Sequence, residues 1–211
     1  IKKLTSNVSL VSILHTSPVT GMTVDLEKIT KEVRNVNPEC IIIVDGIQHS
    51  SHGAIDVQKY DIDGYVVSPY KMFSRHGYGV AWASDRLCTL NKEQLADGPF
   101  ENWELGTRDA GSYATFSDVV DYLDWLGSNF TESENTRERL EASSLAIRSH
   151  EQELVDLVLN GNEDIGGLRN NKEICIIGNP ASKSREGVVS FFHKNKPSSI
   201  IVEELRQRKI R

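Results

Sequence analysis

GYVVSPYKMFSRHGYGVAWAS, Gly64 to Ser84, sets two short apolar runs around a polar turn that contains two glycines. The connection between GYVVSP and GVAWAS is too short for a parallel crossover, which takes about a dozen residues or more. The second run must therefore return antiparallel to the first, and any sheet that contains them is mixed. One lysine, Lys71, stands where the first run ends. There it is either an ordinary surface cation or an amine at the mouth of a buried strand, aimed into a cleft.

Upstream, SLVSILHTS (Ser9 to Ser17) and CIIIVDG (Cys40 to Gly46) are continuous apolar, β-branched runs, the pattern of strands covered on both faces. Both are expected to be central. Between them DLEKITKEVRN carries Leu26, Ile29 and Val33 at helical spacing, with Thr23 as the expected N-cap. Strand, helix, strand makes a crossover, so the first part reads as α/β with a mixed, mostly parallel sheet flanked by helices. Downstream, Tyr113 to Leu126 repeats apolar residues at Phe116, Val119, Val120 and Leu123, and a longer helical pattern follows through Leu140, Ile147, Leu154 and Val158. ICIIG, VVSFF and SSIIVEELRQRKI then give strand, strand, helix, the start of a smaller α/β domain. The boundary is expected between Gly127 and Glu134, dividing the chain into residues 1–130 and 131–211.

The 211 residues carry a formal charge of −6, and their basic residues are scattered except near the C-terminus, which argues against a nucleic-acid surface. No apolar run approaches the roughly 18 residues of a membrane span. Cys40, Cys88 and Cys175 are odd in number and far apart, so neither a disulfide framework nor a metal site is suggested, and a reducing cytoplasm is expected. The chain begins at Ile1 and stops at KIR, which reads as a fragment, inactive alone.

In open α/β sheets ligands bind beyond the carboxyl ends of the strands. The polar residues at those ends are His15, Thr16 and Ser17, then Asp45 and Gln48, then Ser68, Tyr70 and Lys71. A carboxylate and a lysine at neighbouring strand ends have a plain reading as a salt bridge. Their order is more informative: HTSPVTG (15–21), VDGIQ (44–48), SPYK (68–71) with HGYG, and ELGT (104–107) stand in sequence. This series resembles the class V aminotransferases, which include the cysteine desulfurases, among the fold-type I pyridoxal phosphate enzymes.

The resemblance implies a division of labour. Lys71 is the amine that forms a Schiff base with pyridoxal 5'-phosphate, and it later moves a proton at the substrate's α-carbon. Asp45 holds the ring nitrogen protonated. Gln48 donates to the phenolic oxygen, Ser68 and Tyr70 serve the phosphate, and Ser17 belongs to the same shell. Thr107 matches the threonine that reaches the phosphate in the neighbouring subunit, which implies a homodimer acting on a small amino acid or amine. Residues 1–130 would be the C-terminal part of the large cofactor domain, and 131–211 the start of the small one.

Two positions depart from the family pattern. Pro18 replaces an asparagine and cannot donate a hydrogen bond, and Tyr70 replaces the histidine before the lysine. His15, His49, His52 and His76 are expected to be scaffold residues, Arg75 and Arg108 surface charges, and the cysteines small buried side chains. Transamination, C–S cleavage as in the desulfurases, and epimerisation all remain open on this fold, as does a non-catalytic descendant. A nucleotide-binding domain is disfavoured because no G-x-G-x-x-G or G-x-x-x-x-G-K-[ST] loop occurs.

Overall fold

The structure, a computed structural model, describes residues 4–103, 105–106, 109–179 and 185–210. They pack into two compact units, one drawn from residues 1–15 and 24–146, the other from residues 16–23 and 147–211.

The first unit is built on a four-stranded sheet in the order β1-β2-β3-β4. β1 (Leu10–Leu14), β2 (Ile41–Asp45) and β3 (Gly64–Val67) are parallel, and β4 (Val80–Ala83) returns antiparallel to β3 with Val67 opposite Val80. The mixed sheet expected from the short Tyr70–Tyr78 connection is present. β2 is central and its Ile42 and Val44 are fully buried. Among the described residues β1, also expected to be central, pairs with β2 alone and ends the sheet, and Leu10 and Leu14 are exposed. An unbroken apolar run shows that a strand is suited to cover on both faces. It does not count the strand's neighbours.

Helix α1 (Leu26–Val36) crosses over between β1 and β2 and sinks Leu26, Thr30 and Val33. Its N-cap is Asp25, whose carboxylate accepts from Lys28 N at 3.0 Å. Thr23, the expected cap, lies outside the helix and meets Thr16 Oγ1 at 3.0 Å. The core of this unit gathers Ile13, Leu26, Val33, Cys40, Ile42, Val44, Ile62 and Tyr65. Short α2 (Asp85–Cys88) follows β4. α3 (Ala110–Gly127) is capped by Asp109 and buries Val119 of the expected apolar row, while Tyr122 and Trp125 stay exposed. Where α3 ends, Gly127 lies against the backbone of Arg139 so closely that a β-carbon would collide with it.

α4 (Thr136–Asn160) runs from the first unit into the second. The second unit adds the hairpin of β5 (Ile174–Ile176) and β6 (Phe191–His193), then α5 (Ser198–Gln207). The strand, strand, helix order matches expectation, but β6 begins at Phe191 rather than Val188. The residues before it serve another segment: Glu186 N bonds Gly21 O at 2.9 Å, and Arg185 Nη1 bonds Thr20 O at 2.7 Å and Val188 O at 3.0 Å. No described helix is long and apolar enough to cross a membrane.

Candidate active site

Pairing of Leu14 with Asp45, and of Asp45 with Val66, brings the carboxyl ends of β1, β2 and β3 into line. His15, the turn Gly46 to Gln48, and Ser68 to Lys71 therefore emerge along one edge of the first unit. Pro69 is buried and opens a 3₁₀ turn in which Lys71 N bonds Ser68 O at 3.0 Å and Met72 N bonds Pro69 O at 2.7 Å. Proline's fixed φ suits that first position. The turn carries Lys71 back across the edge, where its Nζ donates to Gln48 Oε1 at 2.8 Å.

Asp45 starts the turn that carries Gln48. One carboxylate oxygen, Oδ1, accepts from Ile47 N at 3.0 Å, an Asx turn that fixes the side chain. Among the described residues no hydrogen bond occupies Oδ2. The glycine of VDG has a steric cause: the Tyr65 ring lies against Gly46, and a β-carbon there would overlap the ring and its hydroxyl. Tyr65 OH in turn lies 2.8 Å from His15 Nδ1. Gly46→Ala is expected to displace Tyr65 and lower stability by about 1–3 kcal/mol, the usual cost of overpacking. A thermal unfolding midpoint equal to wild type would contradict this packing account.

His15 is buried and stacks on His49 with ring centroids 3.6 Å apart. Burial, and secondly the neighbouring His49, push its pKa down from 6.5 to about 3. It is therefore neutral near pH 7.

The remaining expected residues fall as follows. Ser68 opens the lysine turn in extended conformation, without a side-chain cap bond. Tyr70 is exposed and stacks on His76 at 4.4 Å, and its ring centroid is 5.7 Å from Lys71 Nζ. Ser17 belongs to the second unit, where its Oγ accepts from Val19 N at 3.3 Å and Thr20 N at 3.1 Å. Pro18 is the exposed corner of that turn, a position proline favours. Thr107 and Arg108 lie outside the described residues. Arg75 is tied to Asp109 and Ser112 at the start of α3. All three cysteines are free thiols; Cys40 is buried, whereas Cys88 and Cys175 are only partly covered.

A separate cleft of about 360 Å³ opens nearby, lined by Phe73, Ser74, Arg75, Thr115, Asp118, Val119 and Tyr122. Its lining offers a guanidinium, one carboxylate and hydroxyls among apolar side chains, and has neither the lysine amine nor the amide of the sheet edge.

Two features escaped the sequence reading. His52 Nε2 lies 3.0 Å from Gln48 Nε2, a contact signalled only by the Q-x-x-x-H spacing. At the opposite, amino end of the sheet, Asp63 is 2 % exposed. It accepts from Arg34 Nη2 at 2.9 Å, from Arg86 Nε and Nη2 at 2.9 Å each, and from Ile42 N at 2.8 Å. No local motif marks that hub, because its partners lie 21 to 29 residues away in sequence.

The family model described as Aminotransferase class-V matches residues 1–211. A probable cysteine desulfurase 2 of Mycobacterium leprae is 25% identical over 204 residues, 90% of this chain and 43% of that protein. An aminotransferase-like protein, FGM3, of Gibberella zeae is 27% identical over 206 residues, 95% of this chain and 46% of that protein. The solved apo structure of a cysteine desulfurase from Thermococcus onnurineus NA1 matches with a TM-score of 0.73 at 21% identity, covering 99% of this chain and 50% of that one. That likeness establishes the fold, and the chain spans about half the length of these relatives or less.

Proposed function

Because the chain belongs to the aminotransferase class-V family, we propose that it carries part of the site of a pyridoxal phosphate enzyme acting on an amino acid or amine. The observation that carries this reading is the hydrogen bond from Lys71 to Gln48, on the same strand edge as Asp45. The donor set suits the cofactor: an amine for its aldehyde, a carboxylate for its ring nitrogen, an amide for its phenolic oxygen and hydroxyls for its phosphate. Bound there, pyridoxal phosphate supplies an electron sink for the bond broken at the substrate's α-carbon.

The residues of this chain do the rest. Lys71 Nζ attaches the cofactor and, once released by substrate, moves the α-proton. Asp45, fixed by Ile47 N, keeps the ring nitrogen protonated, since an opposite charge nearby shifts a pKa by about 1–3 units. Gln48 would donate from Nε2 to the phenolic oxygen, and Ser68 and Tyr70 would serve the phosphate. Residues 1–130 are read as the end of the large domain and 131–211 as the start of the small one, working in the cytoplasm. Reduction of the holoprotein with borohydride, followed by peptide mass mapping, tests the reading. The cofactor is expected on Lys71, and its appearance on another lysine would sink the assignment.

A second reading on the same fold is C–S bond cleavage, favoured by a relative that is named a probable cysteine desulfurase. Buried Cys40 at the amino end of β2 is no candidate for its nucleophile.

Assembly follows from Thr107. If its hydroxyl serves the partner's phosphate, the protein is a homodimer with shared sites. Mixing Thr107→Val subunits with Lys71→Ala subunits is then expected to restore part of the activity, because one site of each mixed dimer has both residues intact. Absence of recovery after proven subunit exchange would exclude a shared site.

A further inference from the structure

Gln48 sits between two partners and is 8 % exposed. Its Oε1 accepts from Lys71 Nζ at 2.8 Å, and its Nε2 lies 3.0 Å from Nε2 of His52. An amide nitrogen donates hydrogen bonds and does not accept them. His52 Nε2 must then be the acceptor, which places the ring proton on Nδ1. A flipped amide would set its NH₂ against the lysine amine, two donors face to face in a buried place, where an unmade hydrogen bond is costly.

The local backbone holds this pair. Gln48 and His52 are the N-cap and C-cap residues of the 3₁₀ turn His49–Ser51, with His52 N bonded to His49 O at 2.9 Å. His49 is anchored by its stack on buried His15. The chain then passes so near the His49 ring that a β-carbon at Gly53 would lie 2.6 Å from it. Packing of protein groups thus orients the amide, as the support of a positioned side chain requires.

We propose that His52, in its Nδ1–H form, is a positioning residue that holds the Gln48 amide with Oε1 toward Lys71 and reserves the second N–H of Nε2 for the cofactor's phenolic oxygen. The cofactor half of this statement rests on the function proposed above; the orientation of the amide rests on the hydrogen bonds alone.

Long-range ¹H–¹⁵N spectra of the imidazoles, recorded on the protein with and without cofactor, read the ring directly. The expected result is a neutral His52 protonated at Nδ1, and a ring protonated at Nε2 instead overturns the proposal. His52→Gln keeps an acceptor near the position of Nε2, whereas His52→Met keeps bulk without one. Equilibrium dialysis is expected to give a pyridoxal phosphate Kd about ten-fold weaker for the Met variant, the scale of one lost hydrogen bond, and near wild type for the Gln variant. Equal affinities for the two variants overturn the proposal. Failure of the cofactor reading shows separately, as wild-type protein that carries no borohydride-fixed label on Lys71.

Discussion

Lys71→Ala holoprotein is expected to lose covalent attachment of the cofactor and about 10²- to 10⁴-fold or more in turnover, the range general-base catalysis supplies. Alanine removes both the amine that attaches the aldehyde and the base that moves the α-proton. The turn itself should survive, because it is made by backbone bonds from Lys71 N to Ser68 O and from Met72 N to Pro69 O. Asp45→Asn gives the converse pattern. The amine is intact, so borohydride still fixes the cofactor to Lys71, yet the ring nitrogen faces a neutral amide and turnover falls by about 10²- to 10³-fold. A mere salt bridge between the two side chains forecasts something else: both variants would lose stability alike, and neither would change covalent attachment. Peptide mass mapping after borohydride, beside thermal unfolding of both variants, separates the two accounts. A Lys71→Ala protein that still carries fixed cofactor would remove Lys71 from its role.

Asp63→Asn is expected to be among the most destabilising single changes in the first unit, at about 3–5 kcal/mol, the cost of breaking a buried ion pair from one side. The carboxylate joins the starts of β2 and β3 through Ile42 N, α1 through Arg34 and α2 through Arg86. Asparagine keeps the shape but leaves two guanidinium groups around a neutral side chain. Burial alone would push the Asp63 pKa up. The hydrogen bonds from Arg86, Ile42 N and Arg34, with the charge of Arg34, outweigh it and hold the pKa at about 2, below the ordinary 3.8.

The sign of the pH effect follows. Between those two values the unfolded chain binds the proton and the folded one does not. The contribution is therefore fully present above about pH 4 and lost as pH falls through 2, an amplitude of about 2 kcal/mol. His15 acts in a different window. With its folded pKa lowered to about 3 from 6.5, acid begins to favour the unfolded chain below about pH 6.5. Denaturant unfolding of wild type and Asp63→Asn across pH 2 to 7 tests both. The variant should lose the Asp63 part of the pH dependence between 4 and 2, about 2 kcal/mol, and keep the His15 part, which starts near 6.5 and runs down to about 3. An unchanged profile between 4 and 2 would rule out Asp63 as its source.

What the sequence determined by itself was whatever local pattern encodes. SLVSILHTS and CIIIVDG read as strands because continuous β-branched runs suit a sheet covered on both faces, and the short connection between GYVVSP and GVAWAS forced the antiparallel return. The spacing of Leu26, Ile29 and Val33 marked α1, and four short motifs in order marked Asp45, Gln48 and Lys71 as one constellation. Tertiary structure decided everything that depends on which distant residues become neighbours. It ordered the strands β1-β2-β3-β4 among the described residues, because strand order is a matter of pairing and not of composition. It gave the cap of α1 to Asp25, since Thr23 was taken by Thr16. It turned the Gln48 amide by setting Lys71 on one side and His52 on the other. It also surrounded Asp63 with two arginines that no sequence window contains together with it. A hydrogen bond acts over about 3 Å whatever the separation along the chain, so periodicity reveals the strands and helices while their contacts appear only once the chain has folded.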